Sequence, residues 1–486
     1  MRLLSTRGLS APVDAPEAVL RGIAPDGGLY IPDEIPAIPP QELWGADFCS
    51  LAQRILCAYL PGYTEDEIRL CVQRAYYHTF DTDEITPLRA VGNQYVLELF
   101  HGPTAAFKDV ALSILPQLMG AALKKKGVHE DVMILTATSG DTGSAALTGF
   151  CDVPGIRVLV FYPEQGISPI QRAQMTTMRG GNLHVCAIRG NFDDAQAGVK
   201  RIFAQMPADF CRAHGFTLSS ANSINIGRLA PQLTYYFAAY RDLLARGQIQ
   251  MGDKVNFSVP TGNFGDILAG FLAKQLGLPV GTLLCASNAN NVLTDFIETG
   301  VYDRRRPLLK TQSPSMDILV SSNLERLLAL LSGDTDLVSG LMGKLRDQGF
   351  YQVPGELLEK IRASFFAGCC DDRRGQAVIG RVWREHHYLL DPHTAAGWAC
   401  AEDYRAKTGD TTPMVVLSTA SPYKFPAAVL TAIGQELSGS EFDQMRQLED
   451  VTGVPIPENL AGLADKPQRH TGVVEKDEML PFVLGL

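Results

Sequence analysis

Several patterns that would assign a function at once do not occur in this sequence of 486 residues. No run of about 18 apolar residues is present, so no transmembrane helix is expected. Ten cysteines are present, but no two of them form a Cys-x-x-Cys pair. Most of them lie in apolar segments, which favours free thiols in a reducing cytoplasm over disulfides.

Positive charge is also scarce. The chain has 43 Lys and Arg residues against 53 Asp and Glu residues, which gives a formal net charge of −10 at pH 7. This balance argues against broad binding to nucleic acid or to anionic membranes. His386, His387 and His393 fit neither the HExxH motif nor a zinc finger, so no metal site is predicted.

Lys108 is the residue that says most about which reaction the protein could catalyse. It ends the segment 101–108 (His-Gly-Pro-Thr-Ala-Ala-Phe-Lys), here called the Lys108 loop, which follows the strand-like apolar run 95–100. Burial disfavours the ammonium form, so a buried lysine can act as a nucleophile or a base. The alternative is a surface lysine at the start of a helix, with its charge in water.

Two other loops have the composition of anion sites. Loop 139–143 (Ser-Gly-Asp-Thr-Gly) and loop 261–266 (Thr-Gly-Asn-Phe-Gly-Asp) each lie between a strand-like apolar run and a helix-like segment. Backbone N–H groups and the positive end of a helix dipole converge in such a turn. Neither loop is a Walker A or GxGxxG motif, and an ordinary strand-to-helix turn remains the alternative.

A lysine with two anion sites matches the requirements of pyridoxal 5'-phosphate (PLP). The lysine holds the PLP aldehyde as a Schiff base, one loop anchors the phosphate, and the other loop receives a substrate carboxylate. The PLP ring then serves as an electron sink.

The order of these motifs along the chain resembles the threonine synthase family, in its longer bacterial and fungal type. The resemblance extends over almost the whole chain and includes segments 5–8, 24–32, 101–109, 139–143, 220–225, 259–266, 390–395 and 417–420. It implies an α/β fold of type II among PLP enzymes, like the tryptophan synthase β subunit. That fold has two parallel-sheet α/β domains, here preceded by an N-terminal mixed domain.

The resemblance also implies roles for particular residues. Lys108 is expected to bind PLP covalently and to move protons, and Thr419 is expected at the pyridine nitrogen. The residues expected at the PLP phosphate are Gly262, Asn263, Phe264, Gly265 and Asp266. Because a carboxylate cannot usefully face a phosphate, Asp266 is expected to cap its own helix or to meet a water. The residues expected at the substrate are Ser139, Asp141, Thr142 and Lys424.

Two of these assignments carry a charge argument. Asp141 would repel a substrate carboxylate, so it is expected to meet the substrate amine or a water. The substrate phosphate needs basic partners, and the candidates are Lys424, Arg172 and Arg228. His101 and Asp109 can either steer Lys108 or serve only as structural hydrogen-bonding groups.

The implied reaction converts O-phospho-L-homoserine and water to L-threonine and phosphate, the last step of threonine biosynthesis. A related type II lyase, such as a serine/threonine dehydratase or a phosphothreonine lyase, is the alternative. A non-catalytic scaffold with the same fold is a second one. The enzyme is expected to be cytoplasmic and a monomer or homodimer, with no nucleic-acid or membrane partner.

The predicted domains follow from the alternation of strand-like and helix-like segments. Residues 1–90 form the N-terminal domain, and residues 91–248 form an α/β domain that carries Lys108 and loop 139–143. Residues 249–486 form an α/β domain that carries loop 261–266. This last domain is expected to contain a helical insertion at about 324–367 and a polar tail, from about 458, that wraps the surface.

Overall fold

The fold is given by a computed structural model that describes residues 1–39, 45–138, 140–165 and 167–486. Ser139, one of the predicted substrate residues, lies outside the described residues. The side chains of residues 192, 193, 204, 208 and 212 are likewise outside the description.

The strands are numbered in chain order. They are β1 (Leu3–Ser5), β2 (Tyr30–Pro32), β3 (Leu88–Val91), β4 (Gln94–Glu98), β5 (Asp131–Ala137), β6 (Ile156–Pro163), β7 (Leu183–Arg189), β8 (Phe216–Ser219), β9 (Val255–Pro260), β10 (Val280–Ser287), β11 (Val301–Asp303), β12 (Phe350–Gln352), β13 (Phe365–Cys369), β14 (Met414–Ser418) and β15 (Gly472–Glu475).

The helices are numbered in the same way. The first half of the chain contains α1 (Ala15–Arg21), α2 (Phe48–Tyr59), α3 (Glu65–Tyr76), α4 (Lys108–Leu112), α5 (Leu115–Lys126), α6 (Asp141–Gly149), α7 (Pro169–Thr176), α8 (Phe192–Gln205), α9 (Ala208–Ala213), α10 (Ile226–Leu229) and α11 (Leu233–Ala245). The second half contains α12 (Gly265–Gln275), α13 (Val292–Thr299), α14 (Leu324–Ser332), α15 (Thr335–Gln348), α16 (Gly355–Arg362), α17 (Asp372–His386), α18 (Pro392–Thr408), α19 (Pro426–Ala432), α20 (Glu441–Thr452) and α21 (Met479–Leu484).

The larger sheet has the strand order β13-β10-β9-β14-β4-β3, and all its neighbours are parallel except the β3–β4 pair. Its central strand β14 is buried along its whole length. Val415 and Leu417 pack into one hydrophobic cluster, whereas Met414 and Val416 pack into another. This two-sided burial is typical of a parallel sheet that is covered by helices on both faces.

The smaller sheet has the strand order β15-β7-β6-β5-β8, and all its pairs are parallel. Residues 140–143 follow β5, so they lie at the carboxyl edge of this sheet. In open α/β sheets, ligands bind outside the carboxyl ends of the strands. The two sheets therefore offer two such edges, and the predicted motifs are divided between them.

Some predicted elements differ from the observed ones. The helical insertion predicted at 324–367 ends too late, because residues 365–369 form β13 and pair with β10. The apolar pattern at this point does not separate a buried strand from a helix. The tail predicted to wrap the surface contains β15, which adds an edge strand to the smaller sheet beside β7.

The sheets also do not follow the predicted blocks of sequence. Strands β3 and β4 lie at the edge of the larger sheet, next to β14, although they come before the strands of the smaller sheet in the chain. The domain boundaries at 90 and 248 stay a prediction. Across the described ranges, no helix is long and apolar enough to cross a membrane.

Candidate active site

Three of the predicted motifs follow three adjacent strands of the larger sheet. The Lys108 loop follows β4, Thr419 follows β14, and loop 261–266 begins where β9 ends. Two backbone hydrogen bonds fix the first two motifs together, from Phe107 N–H to Thr419 O (2.8 Å) and from Ser421 N–H to Ala105 O (3.1 Å). Thr419 itself is 5% exposed. Chain topology therefore gathers distant residues at one edge.

Lys108 is the first residue of the short helix α4 and is 9% exposed. Its Nζ donates hydrogen bonds to Asp141 Oδ2 (3.1 Å) and to Ser315 Oγ (3.3 Å). Asp141 is the first residue of α6, which follows β5 in the smaller sheet. The Lys108–Asp141 ion pair thus joins the carboxyl edges of the two sheets.

A second lysine neutralises the other oxygen of the same carboxylate. Lys424 is fully buried, and its Nζ lies 2.7 Å from Asp141 Oδ1. The same Nζ donates a hydrogen bond to Thr104 O (2.9 Å) in the Lys108 loop. Gln171 Nε2 also donates to Asp141 Oδ1, at 3.0 Å. Asp141 is consequently the centre of a buried polar cluster, which supports the prediction that Lys108 and Lys424 share one site.

The burial of this cluster changes its acid–base properties. Burial lowers the pKa of Lys108, and the charges of Arg228 and Lys424 lower it further, whereas Asp141 opposes this effect. For Asp141, burial alone would raise the pKa, but Lys108 and Lys424 hold it well below its usual range. Asp141 therefore stays ionised, and Lys108 can give up its proton more readily than a surface lysine.

Loop 261–266 ends at the start of α12, and its conformation depends on Phe264. Phe264 adopts the left-handed region, with φ of 64°, and is 1% exposed. Among the described residues, none accepts a hydrogen bond from the backbone N–H groups of residues 262–266. Such free donors at the positive end of a helix dipole are suited to binding an anion.

The prediction that Asp266 caps helix α12 is wrong. Its Oδ1 accepts hydrogen bonds from the hydroxyl groups of Tyr235 (2.5 Å) and Tyr236 (3.0 Å) on helix α11. Burial raises the pKa of Asp266 to about 7, and the two tyrosine hydroxyls oppose that rise. A carboxyl group with this pKa is uncharged over part of the neutral range, so it can lie close to an anion site without a full negative charge.

The described part of loop 139–143, residues 140–143, is held by Thr138. Thr138 Oγ1 accepts hydrogen bonds from the N–H groups of Gly140 and Gly143, both at 3.0 Å. Gly140 has a φ of 141°, and an added Cβ there would lie 2.5 Å from Gln171 Cδ. Thr142 is half-buried at the start of α6. The loop needs glycine at this position because of both backbone conformation and space.

Two predicted phosphate ligands do not contact this cluster. Arg172 is half-buried, and its Nη2 donates to the backbone O of Glu164 (2.7 Å). Arg228 is 4% exposed, and its Nη1 donates to the backbone O of Ala221 (2.8 Å). Burial lowers the pKa of Arg228 to about 10. Arg228 affects Lys108 through its charge. Among the described residues, no hydrogen bond or ion pair joins Arg172 to Lys108.

His101 and Asp109 serve as structural partners. His101 lies between Asp81 (2.6 Å) and Glu98 (3.0 Å), which raise its pKa against the effect of burial. Asp109 accepts hydrogen bonds from the N–H (2.8 Å) and Oγ1 (2.7 Å) of Thr104. Burial raises the pKa of Asp109 to about 6. Both residues shape the Lys108 loop, and neither contacts the Lys108 amine.

Three residues that were not predicted as site residues are connected to the Lys108–Asp141 cluster. Ser315 Oγ donates to Asp141 Oδ2 (3.0 Å), and the Ser315 N–H donates to His393 Nε2 (3.2 Å). His393 Nδ1 lies 2.6 Å from Asp391 Oδ2, and both residues are buried. Ser315 stands in a segment without a glycine-rich or charged motif, so no local signal identifies it. Asp391 and His393 belong to segment 390–395, which the resemblance includes.

Comparison with known proteins places this geometry in a family. Three family models match successive parts of the chain: Threonine synthase N terminus at residues 2–76, Pyridoxal-phosphate dependent enzyme at 85–339, and Threonine synthase, C-terminal, at 394–480. Threonine synthase from Pseudomonas aeruginosa is 42% identical over 441 residues, which are 90% of this chain and 91% of that protein. The chain belongs to the threonine synthase family.

Solved structures of the family have the same fold. The PLP-bound threonine synthase from Brucella melitensis matches with a TM-score of 0.88 and 39% identity, covering 100% of this chain and 98% of that one. The yeast threonine synthase also matches with a TM-score of 0.88, at 34% identity. Threonine synthase-like 1 from Homo sapiens is 40% identical, and the match covers 90% of this chain but 61% of that longer protein. The predicted family, the type II fold and the PLP cofactor are confirmed.

The residues of this threonine synthase family member fit PLP. Lys108 provides a buried amine whose pKa is lowered, as an amine that bonds to the PLP aldehyde requires. The N–H groups of loop 261–266 provide donors for a phosphate. At Gly262, an added Cβ would lie 2.7 Å from Ser315 O, so the loop packs against the segment that contacts Lys108. The amine and the phosphate donors therefore belong to one connected site.

Proposed function

We propose that this protein is a threonine synthase, which converts O-phospho-L-homoserine and water to L-threonine and phosphate with PLP as its cofactor. The observation that best supports this function is the ion pair between Lys108 and Asp141 at 3.1 Å. It brings the reactive amine of the larger sheet to the loop of the smaller sheet where a substrate carboxylate is expected. The membership of the chain in the threonine synthase family supports the same reaction.

The reaction requires a base and an acid at the same place. When bound, PLP supplies an aldehyde that bonds to amines and a ring that accepts electrons. The substrate loses a proton at Cα and a proton at Cβ, and phosphate leaves Cγ with the electrons of its bond. A proton is then delivered to Cγ, water adds its hydroxyl at Cβ, and a proton returns to Cα. We assign the proton transfers to Lys108, because burial lowers its pKa and so permits both its neutral and its charged form.

Asp141 and Lys424 keep Lys108 in place during these steps. Asp141 accepts hydrogen bonds from both lysines and so orients the Lys108 amine. Lys424 is also bound to the Thr104 carbonyl in the Lys108 loop. Both lysines therefore share one carboxylate, and a change at either lysine alters the position of the other.

Different residues bind the PLP phosphate, the substrate carboxylate and the substrate phosphate. The N–H groups of Gly262 to Asp266 bind the PLP phosphate, and Thr419 hydrogen-bonds the pyridine nitrogen. Ser139, Asp141 and Thr142 border the substrate carboxylate and amine. Of the three candidates for binding the substrate phosphate, Lys424 is the one that lies in the Lys108–Asp141 cluster. We further infer that the protein is cytoplasmic and is a monomer or homodimer. Light scattering of the purified protein tests its oligomeric state.

The decisive experiment supplies O-phospho-L-homoserine to the PLP-loaded protein. We expect phosphate release and an equal amount of L-threonine, identified by mass spectrometry. L-Serine, L-threonine and O-phospho-L-threonine serve as alternative substrates. Release of a 2-oxo acid from any of them, without threonine formation from phosphohomoserine, would instead assign a dehydratase or a phosphothreonine lyase.

A further inference from the structure

A cavity of about 410 Å³ borders the Lys108 loop. Its walls come from three parts of the chain: Pro103 and Thr104 of the Lys108 loop, Thr148 with residues from Gln174 to Arg179, and the C-terminal segment from Asn459 to Arg469. Neither Lys108 nor Asp141 lines it. Cavities of this size are typical of sites for small molecules.

Three basic side chains line this cavity: Arg179, Lys466 and Arg469. All three are exposed, and within the described chain none of them forms an ion pair with an acidic residue. By contrast, Arg189 on the neighbouring strand β7 pairs with Glu475 at 2.9 Å. In a protein with a net charge of −10, three basic groups without acidic partners around one cavity form a local positive field.

Hydrogen bonds hold the C-terminal segment beside the cavity. Thr176 O accepts hydrogen bonds from the N–H groups of Arg469 (2.7 Å) and His470 (3.1 Å). Further along the same segment, Asn459 Nδ2 donates to Gly102 O (2.7 Å) in the Lys108 loop. The C-terminal segment is thereby attached both to the end of α7 and to the Lys108 loop, so its basic side chains stay beside the cavity.

Thr104 connects the cavity to the active site. Its carbonyl O accepts hydrogen bonds from Lys424 Nζ (2.9 Å) and from Gln174 Nε2 (3.0 Å), and Gln174 also lines the cavity. Lys424 in turn pairs with Asp141, the partner of Lys108. A ligand in the cavity that contacts Thr104 is therefore linked to Asp141 through two contacts, from Thr104 to Lys424 and from Lys424 to Asp141.

We propose that this cavity is an effector site for a small polyanion, with carboxylate or phosphate groups on a compact body. The basic side chains supply the charge that recognises the anionic groups. Apolar walls from Met178, Leu463 and Pro467 favour an organic body over a simple inorganic ion. Through Thr104 and Lys424, the bound anion changes the affinity of the active site for its substrate, and the substrate must change the affinity for the anion by the same factor.

The test titrates the PLP-loaded protein with citrate, as the carboxylate probe, and with tripolyphosphate, as the phosphate probe, at constant ionic strength. Calorimetry gives the affinity, and the steady-state kinetics give KM. The triple variant Arg179→Gln, Lys466→Gln, Arg469→Gln removes the three charges. Lys254→Gln, Lys344→Gln, Arg373→Gln is the matched control, because these residues are also exposed and the charge change is equal.

We expect at least one probe to bind with one site per chain and to change KM. The triple variant should weaken this binding by about tenfold or more, and lose the effect on KM, while the control variant stays within about twofold. The stronger probe identifies the anionic group. Binding that persists in the triple variant would place the anion elsewhere, and binding without any change in KM would overturn the effector role. Failure of either kind leaves threonine formation by the variant intact, so it is distinct from a failure of the proposed function.

Discussion

Replacing Asp141 with Asn removes the negative charge between Lys108 and Lys424 and keeps the size of the side chain. In the structure the carboxylate lies 3.1 Å from Lys108 Nζ and 2.7 Å from Lys424 Nζ. At an effective dielectric constant of about 20, these two attractions are about 5 and about 6 kcal/mol. The substitution leaves two buried ammonium groups without a counter-charge.

The net cost is smaller than the sum of these attractions. The asparagine carbonyl still accepts a hydrogen bond, and Lys108 can become neutral by losing its proton. Breaking a buried ion pair by removing one partner costs about 3–5 kcal/mol. For a unit of about 150–250 residues, each kcal/mol lowers Tm by about 2–4 °C. We therefore expect Asp141→Asn to lower Tm by about 6–20 °C.

The loss of stability caused by Asp141→Asn should become smaller as the pH rises. In the variant the pKa of Lys108 falls further, because the charge that raised it is gone. In the unfolded chain the same lysine keeps its proton up to its ordinary pKa of about 10.4. Between the lowered pKa of Lys108 in the folded variant and its ordinary pKa in the unfolded chain, the unfolded state binds more protons. The free energy of unfolding of the variant therefore rises with pH in this range. The difference in Tm between the variant and the unmodified protein should thus narrow as the pH rises toward the ordinary lysine pKa of about 10.4.

Calorimetric melting of the cofactor-free proteins measures both effects. The matched control is Asp131→Asn, at the other end of strand β5, which breaks the partly exposed pair with Arg157 (3.2 Å). An exposed pair contributes about 0–1 kcal/mol, so this variant should melt within about 4 °C of the unmodified protein. If Asp141→Asn behaves like the control, or if its deficit grows as the pH rises, the assignment of Asp141 as the counter-charge is refuted.

Four further predictions concern the cofactor and its surroundings. Lys108→Ala should abolish threonine formation and the PLP adduct that borohydride traps, and mapping of that adduct to another lysine in the unmodified protein would contradict the assignment. Gly262→Val should weaken PLP binding by about tenfold or more, measured by equilibrium dialysis, because a Cβ would lie 2.7 Å from Ser315 O; unchanged affinity in the folded variant would exclude the loop. Asp266→Asn should stabilise the protein above about pH 7, because ionisation of a buried carboxyl with a raised pKa lowers the free energy of unfolding as the pH rises, and the benefit should vanish near pH 4. Thr419→Asp should slow threonine formation and alter the absorption spectrum of bound PLP, since a carboxylate favours the protonated pyridine; an unchanged spectrum and rate would separate Thr419 from the ring.

The motifs that lie where a strand ends could be recognised from the sequence. Lys108, loop 139–143 and loop 261–266 each follow a continuous apolar run, and such runs form β4, β5 and β9 in the structure. A buried parallel strand has this pattern because both of its faces are covered. Membership in the threonine synthase family followed from the order of these motifs and is confirmed by the comparisons.

The contacts between the motifs could not be recognised in the same way. Asp141 and Lys424 are 283 positions apart in the chain, yet they lie 2.7 Å apart in the structure. Their proximity depends on how the two sheets meet, and no local pattern encodes that arrangement. Ser315 is a clearer case, because it contacts Lys108 and Asp141 from a segment that has no motif of its own.

Predictions of local structure around loop 261–266 were partly wrong, because tertiary contacts compete with local hydrogen bonds. Asp266 stands where a helix cap is expected, but two tyrosines of α11 reach its carboxylate. The positive φ of loop 261–266 is carried by Phe264 rather than by either glycine. A buried phenyl ring there gains enough packing to offset the strain of that conformation, which is of the order of 1 kcal/mol.

The charges around Asp141 resolve the question of why an acidic residue borders a site for an anionic substrate. Alone, Asp141 would repel a carboxylate, as the sequence suggested. In the structure it is shared by Lys108 and Lys424, so the three groups together keep one net positive charge while Lys108 is protonated, and Arg228 adds a further charge. Without Asp141 the site would bury three cations close together, at a high desolvation cost. One carboxylate thus lowers the cost of burying the lysines and still leaves the site positive toward the proposed substrate, which carries both a carboxylate and a phosphate.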